Sequence, residues 1–298
     1  MRQEEWQRRA ARHADRVRPW VDARLARRAA GRKHAVDDFL FDYYPFSPAK
    51  LASWHPGFGV VLEGPEARSY LAHSGYIVAS DGVTADPSRL ASKRPRLNLA
   101  IRILTGTKSR PAMTGCFGLH EWAMVYGLTQ GEVRHEDLPL RVSPGTIAAT
   151  VDEIGLRCTH IDAFRFFTPP AVPLNGLEPT RATQPDLEQP GCLHASMDLY
   201  KYAFWFSPFV SSELVTDCFE LARSARQVDM AASPYDCGDL GLAPIRVESA
   251  EGRQQYAAAQ RELMDQAAPL RARLEAVLVG LQVSAEENSE ASGPSGRR

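Results

Sequence analysis

The sequence predicts an α+β fold that is predominantly α-helical with a few short β-strands. Three observations carry this. Apolar residues recur at helical spacing through the longest segments, strand-like runs are short (GVVLEG, GYIVAS), and no internal repeat organises the chain. The 298 residues, 44% hydrophobic and 24% charged, suffice for one sizeable core. No apolar run approaches the roughly 20 residues of a membrane span. The opening MRQEEWQRRAARHADRVRPW lacks the apolar centre of a secretory signal. The expected location is therefore cytoplasmic, with no membrane partner.

Residues 1–33 read as a basic N-terminal helical arm, with Trp6, Val17, Val21 and Leu25 as its apolar positions and Pro19 as a break. Eleven Lys/Arg stand there against four acids, a balance of +7 that leaves −8 for the rest of a chain whose net charge is −1. A basic helix on an acidic body suits phosphate-backbone binding, with Arg8, Arg9 and Arg12 as the candidate DNA contacts. The plainer reading is a solvated helix lying across that body.

Residues 34–283 read as a single globular domain. Its first stretch, 34–59, interleaves Phe39, Phe41, Tyr43, Tyr44, Phe46 and Trp54 with Asp37, Asp38 and Asp42, and its prolines divide it into short helices. Residues 81–112 are polar and basic and are expected to form a mobile surface segment, with Lys93, Arg94 and Lys108 as further phosphate contacts. Residues 115–127 and 146–155 read as helices closed by Gly127 and Gly155. Residues 156–167 alternate and are rich in β-formers, so a strand is expected. The segment 168–191, with six prolines, is a loop. Helices follow at 211–230, capped by Ser211 or Ser212, and at 249–281, with a bend near Pro269. Residues 284–298 are expected to be a disordered tail. The five cysteines form no CxxC pair, which argues against a disulfide framework and a zinc knuckle.

The stretch GCLHASMDLYKYAFWF (191–206) reads as a helix that is apolar nearly all round. At about 100° per residue, His194, Asp198 and Lys201 fall on one narrow stripe. Buried ionisable groups must be paired, neutralised or used. Two further histidines sit beside carboxylates: His120 and Glu121 in GLHEWAMVY, which also holds Trp122, and His160 and Asp162 in THIDAFRFF, two apart and so on one face of the expected strand. Imidazole plus carboxylate in an apolar shell resembles a metal site, with His120, His160, Asp162 and His194 as candidate ligands. Satisfied buried pairs explain the same residues. The aromatic and acidic stretch 37–54 suits a planar cationic ligand through stacking and cation–π attraction. Arg165 and Arg226 are candidate anchors for a carboxylate or phosphate, and Tyr235 and Asp236 a donor–acceptor pair in a turn. The chain carries no GxGxxG, P-loop, GxSxG or CxxC.

Taken together, GLHEWAMVY, THIDAFRFFTPPAVPLN, EQPGCLHASMDLYKYAF and DMAASPYDCGDLG resemble the actinobacterial-type proteins labelled 3-methyladenine DNA glycosylase, over about residues 34–280. The helix-hairpin-helix with a Gly-rich turn, found in the helical alkylpurine glycosylases, is absent. The resemblance implies a hydrolase that flips an alkylated purine from duplex DNA and cleaves its N-glycosidic bond, with no cofactor. Under that reading the catalytic candidates are Asp198, His194, Lys201, Asp37, Asp38 and Glu121. Tyr43, Tyr44, Trp54, Trp122, Arg165, Tyr235 and Asp236 then bind the substrate. The first alternative is an enzyme that uses a divalent metal, held by the histidine and carboxylate groups, on a small molecule. The second is a non-catalytic binding module with a buried polar network.

Overall fold

A computed structural model describes residues 1–133 and 138–291. The chain opens with α1 (Gln3–Ala29), which buries Trp6, His13, Val17 and Val21. Contrary to the sequence expectation, Pro19 does not interrupt it. A proline forfeits its own amide donor, and tertiary contacts hold the turns on either side. Before it, Arg9 pairs with Glu213 at 2.8 Å and Arg16 with Asp217 and Glu220 at 2.9 and 2.6 Å; after it, Arg24 and Arg27 pair with Asp38. The basic helix thus lies across an acidic face of the body.

Two short helices follow, α2 (Phe39–Tyr43) and α3 (Pro48–Ala52), the latter capped by Ser47, whose hydroxyl accepts from the Lys50 amide. The strands β1 (Val61–Leu62), β2 (Tyr76–Ala79) and β3 (Gly82–Ala85) form an antiparallel sheet in the order β1-β3-β2, with Thr84 opposite both Val61 and Ile77. Position 82 requires glycine, because a Cβ there would lie 1.9 Å from the Leu62 carbonyl oxygen.

The segment expected to be mobile instead contains β3 and α4 (Arg94–Ser109). Its charged residues occupy the outer face of α4, while Leu97, Ala100, Ile103 and Leu104 return at helical spacing and are buried. The sequence reading weighed charge above period. Next come α5 (Leu119–Ala123), α6 (Pro144–Ile154), α7 (Ile161–Phe164) and α8 (Gln184–Leu187). The expected strand at 156–167 is a second correction. Only Leu156 makes a bridge, to Asn175, and the chain then turns into α7. His160 stops the extension by capping that helix: its Nδ1 accepts from the Asp162 amide at 3.2 Å.

The last three helices are α9 (Leu193–Trp205), α10 (Ser212–Ala231, capped by Ser211) and α11 (Ala250–Ala291), which continues past Pro269. Residues 284–291, expected to be disordered, thus belong to α11. They are mostly Ala and Glu, good helix formers that extend a helix already nucleated by packing. The rest of the expected tail, 292–298, lies outside the described residues. Helix α9 is the centre of the molecule, packed on α10 and α11 with every residue from Leu193 to Phe204 buried. Among the described residues no helix is long and apolar enough to cross a membrane.

Candidate active site

Three short elements converge on the N-terminal half of α9. Phe117 (φ 45°) and Gly118 (φ 70°), successive left-handed residues, wind the chain into α5. A non-glycine residue in that region stores strain and fixes direction. Here it aims His120 at α9. Helix α7 brings His160 and Asp162, and the end of α8 brings Glu188.

The result is a row of three imidazoles. The His120 and His194 ring centroids are 4.6 Å apart, edge to face, and those of His194 and His160 are 5.2 Å apart and stacked. Carboxylates flank each end. At one end His120 Nε2 lies 2.7 Å from Asp229 Oδ1. The Arg226 guanidinium donates to Glu121 at 2.8 Å and to Asp229 at 2.7 Å, and packs 4.0 Å from the Phe39 ring centroid. At the other end His160 Nε2 lies 3.1 Å from Glu188 Oε1 and 3.3 Å from Asp198 Oδ2. Asp198 also accepts from the Tyr44 hydroxyl at 2.9 Å and from Lys201. Lys201 reaches Asp162 at 3.5 Å, and Asp162 pairs outward with Arg181 and, at 3.3 Å, with Arg165.

The electrostatics follow from this arrangement. Burial opposes the charge of His160, but Glu188 and Asp198 outweigh it and push the ring up to about 9. Burial likewise opposes His120, and Asp229 and Glu121 raise it. Between them His194 has no such support. Burial, then the neighbouring His120 and His160, push it down to about 3, so it stays neutral. Burial would raise Asp198 and Asp229, yet Lys201 and His160 hold the first ionised, and His120 and Arg226 the second.

Two triads hold donor atoms close enough to consider an ion: His160, Glu188 and Asp198; and His120, Glu121 and Asp229. An ion about 2.0–2.2 Å from each ligand separates neighbouring ligand atoms by about 2.8–3.6 Å. The His160 distances lie in that range and the 2.7 Å His120–Asp229 distance does not. At the first triad an ion competes with a proton on His160. Its carboxylate neighbours favour the doubly protonated ring, whereas the cap on α7 needs Nδ1 as an acceptor. These demands oppose each other, but Nε2 carries a hydrogen in either state, and an ion there would require the cap to be given up. In the second triad Arg226 already bonds both carboxylates.

A small cavity of about 20 Å³, room for a single water, opens beside His120 and His194. Cys116, Cys158, Cys192 and the exposed Arg157 share its lining. Burial pushes Cys158 up to about 12 and raises Cys116 and Cys192, which keeps all three as thiols rather than nucleophilic thiolates.

The structure therefore gathers His194, Asp198, Lys201, Glu121, His120, His160, Asp162 and Tyr44 into one centre, with Tyr43 stacked on Phe39 at 5.0 Å and Arg165 at its rim. Other candidates lie elsewhere. Asp38 is held on α1 by Arg27 at 2.5 Å and Arg24 at 3.0 Å, and Asp37 by Arg223 at 2.9 Å. Trp54 donates to Glu213 beneath Arg9. Trp122 is a core residue bonded to the Ala232 carbonyl. Tyr235 is buried, and Asp236 closes its own turn on the Gly238 amide. Among the DNA candidates, Arg9 is engaged by Glu213, Lys93 by the Trp205 carbonyl at 3.3 Å and Lys108 by Glu275 at 2.6 Å. Arg8 and Arg12 are exposed, and Arg94 is half-buried at the start of α4. The sequence reading missed Glu188, Asp229 and Arg181. Asp229 had a signal, lying three residues after Arg226 on one helix face. Glu188 and Arg181 had none, since both sit in the proline-rich segment.

Compared with protein-family models, with curated proteins and with solved structures, the chain matches none.

Proposed function

We propose that the chain is an enzyme in which the histidine row transfers protons with a water, or with the one substrate group that reaches it, in the small cavity beside His194. One observation carries the reading. His194 is a neutral imidazole between two imidazoles held charged or charge-assisted by carboxylates, and it faces a cavity. Adjacent titratable groups driven in opposite directions are the arrangement that assigns acid and base roles. In this reading His194, too weak a base to take a proton from water, stays neutral and donates its N–H to an oxygen in the cavity. His120, oriented by Asp229, supplies the proton. Arg157 at the mouth favours an anionic substrate.

The test is carbethoxylation by diethyl pyrocarbonate, mapped by peptide mass spectrometry on the folded protein. His194 is expected to react ahead of His120 and His160. If His194 stays unmodified while exposed His73 reacts fully, the cavity admits no substrate and the reading fails.

A second reading, the N-glycosylase implied by the sequence resemblance, is favoured by Asp198. It is a carboxylate held ionised behind the aromatic wall of Phe39, Tyr43 and Tyr44, suited to stabilising a developing oxocarbenium charge. It calls for release of 3-methyladenine from N-methylated duplex DNA in the presence of chelator, lost in Asp198→Asn. Absence of release from the wild type removes it.

A further inference from the structure

At the far end of α9 from His194 lies a separate, open cleft of about 490 Å³. Ten or eleven residues of helix, roughly 15 Å, divide the two. The volume falls within the ~300–1,000 Å³ typical of small-ligand sites. Phe46 and Phe204 form its floor, buried and stacked at 4.9 Å with their planes 22° apart. Trp205, half-buried, continues that aromatic surface, and the Arg96 guanidinium lies 5.0 Å from its ring centroid.

The charge on the walls is of one sign. Lys50 and Arg96 line the cleft, and no acidic side chain does. Both are exposed, and among the described residues neither is in an ion pair. Cationic crowding is evident nearby: after burial, Arg96 and Arg89 lower Lys93, which sits against the Trp205 carbonyl. His55 and His73 add hydrogen-bonding capacity. The Nδ1 of His55 is bound to the Tyr76 hydroxyl at 2.9 Å, which fixes its ring. A rigid aromatic floor beside two uncompensated cations is complementary to one chemistry, a planar ring that stacks and an anionic group that the cations hold.

We propose that this cleft binds a small ligand in which a planar aromatic ring carries a phosphate, of the mononucleotide class. The ring lies over Phe46, Phe204 and Trp205, and the phosphate sits between Lys50 and Arg96. An alkylated cationic base is disfavoured, because no carboxylate faces it, so this site is distinct in chemistry from the buried centre.

Isothermal titration of the full chain with adenosine 5′-monophosphate tests it, with adenosine, ribose 5-phosphate and a single-stranded oligonucleotide as parallel arms. One-to-one binding of the monophosphate is expected. It should be at least tenfold tighter than either half-molecule and at least tenfold weakened in both Lys50→Glu and Arg96→Glu, two exposed positions whose reversal leaves the core intact. Absence of binding at millimolar concentration overturns the proposal, as does indifference to both charge reversals. Equal affinity for adenosine overturns the phosphate, and equal affinity for ribose 5-phosphate overturns the ring. An oligonucleotide that binds where the monophosphate does not overturns the free ligand and assigns the cleft to a nucleic-acid strand.

Discussion

The two ends of the histidine row are built from similar parts and held in different ways. At the His120 end a single guanidinium, Arg226, serves both carboxylates and is 2% exposed. At the His160 end the load is shared. Asp198 has Tyr44, Lys201 and His160, Asp162 has Arg181, Arg165 and Lys201, and Glu188 receives the Gln184 amide. The first end is closed and depends on one residue. The second is redundant, and its outer guanidiniums are 46% and 58% exposed at their side chains. Similar ion clusters can therefore differ in fragility, and what sets the difference is how many donors each acid retains after one is lost.

The largest expected effect tests that contrast directly. Arg226→Met leaves Glu121 buried without a cation and Asp229 with His120 alone, a loss of about 3–5 kcal/mol. Lys201→Met leaves each acid at least one donor, and should cost about 1–3 kcal/mol. Chemical denaturation of both variants decides it. If Lys201→Met is the more damaging, the shared end is not redundant.

The middle of the row sharpens the comparison through pH. The folded pKa of His194 is depressed to about 3, below the ordinary 6.5, so the unfolded chain binds the proton that the folded one refuses. Its contribution to stability is therefore fully present above about pH 6.5 and declines as pH falls from there toward 3, by at most about 1.4 kcal/mol per pH unit. His194→Gln should flatten the midpoint of urea unfolding between pH 6.5 and 4. An unchanged slope would mean that other groups carry the acid limb.

The smallest effect concerns α1. Arg16, about a third exposed, pairs with Asp217 and Glu220, and Arg16→Ala should cost no more than about 1 kcal/mol and less in high salt. A larger or salt-independent loss would place these surface pairs beside the buried clusters in importance.

Much of this was legible in the sequence where a period was. The stripe of His194, Asp198 and Lys201 followed from 3.6-residue spacing in an apolar helix, and α9, α10 and α11 were read within a few residues, apart from the end of α11. The errors arose where local chemistry and period disagreed. The charged outer face of α4 concealed its buried stripe. His160, in a run of β-formers, turned the chain by capping α7 with its own ring, which no propensity expresses. Glu188 joins the site only because the proline-rich segment folds back against α9, a tertiary event without a local signature.

Helix α9 has a final consequence, for motion. Beyond its first turn its amides are bonded within a helix that is buried from Leu193 to Phe204, so they should be among the last in the molecule to exchange with deuterium. The row and the cleft hang from opposite ends of this rod. Neither can be exposed by the rod fraying without the whole domain unfolding. Entry to the row must therefore pass through fluctuations of the short elements around it, α5 and α7, on the timescale of loops rather than of global opening, whereas the cleft is already open.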